Sequence, residues 1–204
     1  WPLIAGSVRA CGATPVDVAF SQVLYEHPHA DVQALLAEHT TNRTVALYVG
    51  TPNNPDGKVH GAETLPVIAA HVERHNLWVL ADEVYTDYVW AEGVRHVPVA
   101  SIEGLGPRTM TAGSLSKSHA LAGARGGYLV APPSIIDAVR RIANHTLYNV
   151  PRRCSSRRSR HSRTTAASSR RRVRHTARGS RSFGASSGRR ISFPRAARTY
   201  SCDM

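Results

Sequence analysis

The chain has 204 residues and a net charge of +12, from 26 Lys and Arg against 14 Asp and Glu, a balance that taken whole suggests an acidic partner such as nucleic acid. The excess is local: residues 1–151 carry 10 basic and 13 acidic residues, net −3, while residues 152–204 carry 16 Arg against the single acid Asp203, net +15. No run approaches the roughly 18 uninterrupted apolar residues of a membrane span, and the three cysteines Cys11, Cys154 and Cys202 lack C-x-x-C spacing, so a reducing, cytoplasmic location without a membrane is the expectation.

The start, Trp1-Pro2-Leu3-Ile4, lacks the charged region that opens a signal peptide and has no initiator Met, so the true beginning is expected upstream. Residues 15–20, PVDVAF, read as a short strand, and 31–39, DVQALLAEH, as a short helix. Val45 to Val49 is a β-branched and aromatic run that ends at Gly50 and opens into the turn sequence TPNNPDG at 51–57. Leu65, Ile68, Ala69, Val72 and Leu77 then recur near a period of 3.6 with His71, Glu73 and Arg74 between them, which predicts an amphipathic helix over 62–76. Strands follow at 77–85, at 108–114 and at 126–132, and a last helix over about 134–146 places Ile135, Ile136, Val139 and Ile142 on one face. Strands alternating with helices imply an α/β fold, a mostly parallel sheet covered on both faces, whose ligands sit at the carboxyl ends of the strands.

That grammar stops after Pro151. Residues 152–204 hold 16 Arg and 12 Ser, with apolar residues too sparse to define a buried face, and are expected to be a disordered tail behind a domain of residues 1–151. A nucleic-acid-binding tail, a solvated linker and translation in a shifted reading frame compete as its origin. The tail has no Lys and no aromatic interleaving of the kind that stacks bases, and the change of composition is abrupt, which favours the shifted frame and makes nucleic acid the lesser partner.

Three clusters carry chemistry, and each falls at a strand end: Asn53-Asn54-Pro55-Asp56-Gly57, Asp82-Glu83-Val84-Tyr85, and Ser114-Leu115-Ser116-Lys117 with Arg125 eight residues beyond the lysine. Singly they are a turn, a helix cap and a solvated lysine. Together they meet the needs of an aldehyde cofactor on a pyridine ring. Lys117 offers the amine for a Schiff base and for proton transfer at the substrate carbon, its Lys competitor being Lys58. Asp82 offers a carboxylate to keep a pyridine nitrogen protonated. Ser114 and Arg125 offer a hydroxyl and a planar cation to a phosphate, and Asn54 and Tyr85 offer groups to the ring oxygen. His119 and Glu83 read as supporting residues, Trp78 and Trp90 as packing, and His27, His29, His71 and His75 lack companions at metal-ligand spacing.

The order TPNNPDG, ADEVY, SLSKSHALAGARGGY resembles the class I/II aminotransferases of the fold-type I pyridoxal-phosphate enzymes, whose recurrent patterns are P-N-N-P-x-G, D-E-x-Y and S-x-S-K-x-x-x-x-x-G-x-R-x-G-Y. The resemblance covers about residues 1–151. It implies that Lys117 carries pyridoxal 5'-phosphate, that Asn54 and Tyr85 contact its ring oxygen, Asp82 its ring nitrogen, and Ser114 with Arg125 its phosphate. It further implies transamination between an amino acid and an oxo acid in a homodimer when full length, with a pyridoxal-phosphate lyase or synthase on the same fold as the alternative. On the family's scale the chain is a central fragment, without the small-domain arginine that pairs with a substrate carboxylate. Asp56 stands where the pattern commonly has Thr, and Gly126-Gly127 where a bulkier residue precedes Gly.

Overall fold

The chain's structure, a computed structural model, describes residues 2–147 and the backbone of 199–203. Its elements in order are α1 (Pro2–Ala10), β1 (Thr14–Val18), α2 (Phe20–Glu26), α3 (Val32–Glu38), β2 (Thr44–Gly50), α4 (Leu65–Arg74), β3 (Trp78–Asp82), β4 (Thr109–Ser114), α5 (Leu115–Ser118), β5 (Gly127–Val130), α6 (Pro133–Thr146) and β6 (Thr199–Asp203), with short 3₁₀ turns at Val99–Ser101, Gly106–Arg108 and Ala122–Ala124. The strands form a six-stranded sheet in the order β1-β6-β2-β3-β4-β5.

Strands β2, β3 and β4 run parallel in neighbouring positions, and β5 returns antiparallel beside β4. Strand β6 lies between β1 and β2, antiparallel to both, so β1 and β2 point the same way. The α/β, mostly parallel architecture expected from the alternation is thus present. No element was read beyond Pro151, and Thr199–Asp203 forms a strand there. Its sequence, TYSCD, is rich in types that suit a pleated backbone, and two unpaired strand edges supply the ladder partners that local composition cannot reveal. Residues 148–198, and the shifted-frame and nucleic-acid readings attached to them, lie outside the described residues.

Side-chain alternation decides which face of the sheet each residue serves. Leu47 and Val49 of β2 and Val79 and Ala81 of β3 join Leu65, Ile68, Ala69 and Val72 of α4, Phe20 and Leu24 of α2 and Leu36 of α3 in the main core. Tyr48 and Leu80, one residue out of step, face the opposite side and pack with Ile4 and Ala5 of α1. Helix α4 starts at Leu65, three residues later than its periodicity predicts, because Pro66 suits the first turn, where its missing N–H costs no helical bond. Helix α3 is capped by Asp31, whose carboxylate accepts the Ala34 N–H at 3.0 Å. Strand β3 ends at Asp82, not at residue 85, since Tyr85–Tyr88 closes a turn through the Tyr88 N–H and the Tyr85 carbonyl at 2.8 Å.

Helix α6 has its predicted place but not a buried face. Val139, Ile142 and Leu147 are exposed, as are Tyr128 and Val130 of the edge strand β5. Among the described residues no helix is long and apolar enough to cross a membrane.

Candidate active site

The register of the parallel strands sets the site. Gly50 pairs with Asp82 and Asp82 with Ala112, so the segments that follow these residues leave the sheet along one rim. Thr51 N–H donates to the Asp82 carbonyl at 3.1 Å and Glu83 N–H to the Ala112 carbonyl at 3.0 Å. Two crossing bonds of this kind tie the three motifs together just beyond the last strand pairs.

Asp82 shares the sheet face of Tyr48 and Leu80. The Tyr48 hydroxyl donates to Asp82 Oδ2 at 2.5 Å, and the Val84 N–H reaches Oδ1 at 3.4 Å. That hydrogen bond fixes the orientation of the carboxylate. Glu83, next in sequence, points the other way and is buried: Oε1 accepts the Val99 N–H at 2.9 Å and Oε2 meets His96 Nε2 at 3.0 Å. This fits the supporting part read for Glu83, and it identifies His96, which the sequence did not single out, as its partner.

The loop after β4 is built around Ser114. Its hydroxyl accepts the Ser116 N–H at 3.1 Å and caps α5, while the Ser118 hydroxyl donates to the Ser114 carbonyl at 3.0 Å. Lys117 stands on that single turn of helix, half-buried, with Nζ 5.4 Å from the centre of the Tyr85 ring. Its backbone carbonyl accepts the Tyr88 hydroxyl at 2.7 Å. Asn54 and Tyr85 line one cleft of about 400 Å³ together with Pro52, Pro55, Asp56, Tyr88 and Trp90. Trp90, read as packing, is instead largely exposed at the mouth of that cleft.

The antiparallel return brings the Arg125 backbone towards the end of β4, because Ser114 pairs with Gly127 and Arg125 lies two residues before that pair. Its backbone is left-handed, with φ of 49°, and Nη1 donates to the Ala122 carbonyl at 3.1 Å. The close approach of β5 to β4 requires glycine at 127, where a Cβ would stand 2.9 Å from the Gly113 carbonyl oxygen. The structure therefore brings Tyr85 and Asn54 around one cleft, with the Lys117 amine over the Tyr85 ring, and sets Asp82 and Ser114 at adjacent strand ends, while the Arg125 guanidinium turns back to its own loop.

Besides His96, Tyr48 and Tyr88 are polar groups that the sequence reading missed. The alternation in VALYV was enough to put Tyr48 on the face opposite Leu47 and Val49, but its pairing with Asp82 depends on strand register. His71, whose metal role was discounted, is fully buried in a hydrogen-bond chain with Gln33 and Thr40. Among the described residues no group of three or more His, Cys, Asp or Glu could hold a metal ion.

The residue types suit pyridoxal phosphate: a carboxylate at Asp82 held by Tyr48 and a hydroxyl at Ser114 at neighbouring strand ends, an amine at Lys117 on α5, and a guanidinium at Arg125 in the loop before β5.

The chain is similar to known proteins. The family model described as aminotransferase class I and II matches residues 1–174. The aromatic-amino-acid aminotransferase 2 of Thermococcus litoralis is 39% identical over 146 residues, 71% of this chain and 36% of that protein. The human kynurenine–oxoglutarate transaminase 1 is 35% identical over 116 residues, 57% of this chain and 27% of that one. Among solved structures, an N-succinyldiaminopimelate aminotransferase from Mycobacterium tuberculosis superposes with a TM-score of 0.69 at 30% identity, over 75% of this chain and 39% of that chain. The chain thus spans 27% and 36% of the length of those two curated relatives.

Proposed function

The chain belongs to the class I and II aminotransferases, and on that footing we propose that residues 1–151 form the cofactor-binding part of a pyridoxal 5'-phosphate-dependent aminotransferase acting between an amino acid and an oxo acid. The observation that carries the proposal is the Lys117 amine over the Tyr85 ring, on the same sheet rim as the Asp82 carboxylate and the Ser114 hydroxyl. When bound, pyridoxal phosphate supplies an aldehyde that links to amines and a ring that accepts electrons from the substrate's α-carbon.

The chain's own residues divide the remaining work. Lys117 would hold the aldehyde carbon through its amine and, when freed by the substrate's amine, would be the group that takes a proton from the substrate's α-carbon. Asp82, oriented by the Tyr48 hydroxyl, would accept a hydrogen bond from the ring nitrogen. Ser114 and Arg125 bind the phosphate, the guanidinium having five N–H donors of which one is directed to Ala122. Asn54 and Tyr85 bind the ring oxygen from the cleft they line. Similarity to proteins named as transaminases supports transfer over elimination. A homodimer belongs to the same proposal on the family resemblance, and a reducing, cytoplasmic location on the odd number of cysteines and their lack of C-x-x-C spacing.

The test is reductive trapping. The purified chain is incubated with pyridoxal phosphate and then borohydride, so that the lysine nitrogen bonds the aldehyde carbon, water leaves and hydride reduces the C=N bond to a stable amine. Peptide mapping is expected to find the added mass at Lys117 and to lose it in Lys117→Ala, with an unchanged far-ultraviolet dichroism spectrum. A label confined to Lys58 would move the attachment point and refute the site.

A further inference from the structure

Tyr88 lies outside every motif that pointed to the site, yet it touches the segment that matters most. Its hydroxyl donates to the backbone carbonyl of Lys117 at 2.7 Å across 29 residues of sequence. Its ring meets Tyr85 edge to face, with centroids 6.0 Å apart and planes at 79°, and the Tyr85 ring in turn lies 5.4 Å from Lys117 Nζ. One side chain therefore braces both ends of the contact between the lysine and its aromatic neighbour.

The bracing is needed because α5 is a four-residue turn, too short to be stable on its own. Within the turn the Leu115 carbonyl accepts the His119 N–H at 3.2 Å. The Lys117 carbonyl receives the Ala120 N–H only at 3.3 Å, a weak bond beside that of the phenol at 2.7 Å. A drift of the Lys117 backbone is carried out along its side chain to Nζ, and displacement of a reacting atom by about 1 Å costs up to a hundredfold in rate.

Resting on Lys117 as the cofactor amine, we propose that Tyr88 is a positioning residue that fixes the Lys117 backbone, and through Tyr85 the path of its amine, for attachment of pyridoxal phosphate. Tyr88→Phe keeps the ring and removes one hydrogen bond, which corresponds to roughly five-fold weaker attachment.

The experiment uses the full chain with pyridoxal phosphate as probe. The borohydride-trapped label at Lys117 and at Lys58 is quantified against cofactor concentration in parent and Tyr88→Phe, alongside thermal unfolding. Lys58 is an internal control, since its ammonium lies over the Tyr25 ring, 4.8 Å from the centroid, and not over Tyr85. Half-saturation at Lys117 is expected to rise about five-fold with Lys58 labelling unchanged. Equal half-saturation at Lys117 in both proteins overturns the inference while leaving the attachment site intact. A matching change at Lys58, or an unfolded Tyr88→Phe, overturns it too, because Tyr88 would then serve the fold in general. Absence of label at Lys117 in the parent overturns the attachment site itself and the inference with it.

Discussion

Acid should destabilise this fold through two histidines remote from the lysine. His71, on α4, is fully buried: Gln33 donates to Nδ1 at 3.1 Å, and Nε2–H donates to the Thr40 hydroxyl at 2.9 Å, which passes its own proton to the Leu36 carbonyl at 2.7 Å. The neutral ring satisfies every member of this chain. A proton on Nδ1 would oppose the Gln33 N–H and force that amide to turn over. Burial first, then His75, whose ring centre is 4.4 Å away, and Arg74 push the His71 pKa down to about 4. His60, against the Phe20 ring and with a buried Nδ1 that has no partner, is likewise pushed down to about 4, by burial first and Lys58 second, with Asp56 opposing. Both values lie below the ordinary 6.5 of an unfolded chain. The unfolded state therefore holds more protons between about pH 4 and about pH 6.5, and the stabilisation, complete above that window, is lost as pH falls through it. Each histidine accounts for about 3 kcal/mol, a large part of a typical folding stability of roughly 5–15 kcal/mol. Urea unfolding of parent and His71→Gln at about pH 7 and about pH 4 isolates one of them, because carboxylates titrate alike in both proteins. The gap in stability between parent and variant should shrink by about 3 kcal/mol on acidification, and parallel pH dependences would refute the assignment.

Two further substitutions test the frame around the lysine. Glu83→Ala leaves the N–H of fully buried Val99 without an acceptor and His96 without its partner, so a loss of about 3 kcal/mol is expected in urea unfolding; a loss under about 1 kcal/mol would show that water replaces the carboxylate. Gly127→Ala sets a Cβ 2.9 Å from the Gly113 carbonyl and must push β5 away from β4, whereas Gly123→Ala meets nothing within 4 Å. The first should lower stability by about 1–3 kcal/mol and the second should be close to neutral, and equal thermal midpoints for the two would refute the close approach.

Legibility followed the range over which each signal acts. Strands β2, β3 and β4 could be read because their apolar runs end in residues that cannot continue them, and α4 because Leu65, Ile68, Ala69 and Val72 repeat on one face. Helix α1 escaped notice since its buried content is Ala5 alone, which leaves no periodic stripe to find. Helix α2 has seven residues, fewer than a periodicity window, and Phe20, read as a strand end, instead opens it. In the site, Lys117, Asp82, Asn54 and Tyr85 were legible as residue types at strand ends. The side chains that touch them, Tyr48 and Tyr88, were not, because each acts across 34 or 29 residues of sequence and depends on strand register or on a turn. The left-handed backbone of Arg125 was equally hidden, since only glycine announces that conformation in a sequence.

Register is also what turns three separate motifs into one site. Tyr48 pairs with Leu80 and Gly50 with Asp82, so Asp82 shares the face of Tyr48 while Val79 and Ala81 fill the main core with Leu47 and Val49. A slip of one residue between β2 and β3 would turn Asp82 into that core and Val79 and Ala81 out of it, exchanging a hydrogen-bonded carboxylate for a buried charge without a partner. The apolar residues that stabilise the sheet thus fix where the carboxylate stands. The same holds for β4, whose pairing of Ala112 with Asp82 sets how far beyond the rim α5 and Lys117 begin. The chemistry of the rim is therefore specified as much by the valines, leucines and alanines of the strand interiors as by the polar residues at their ends.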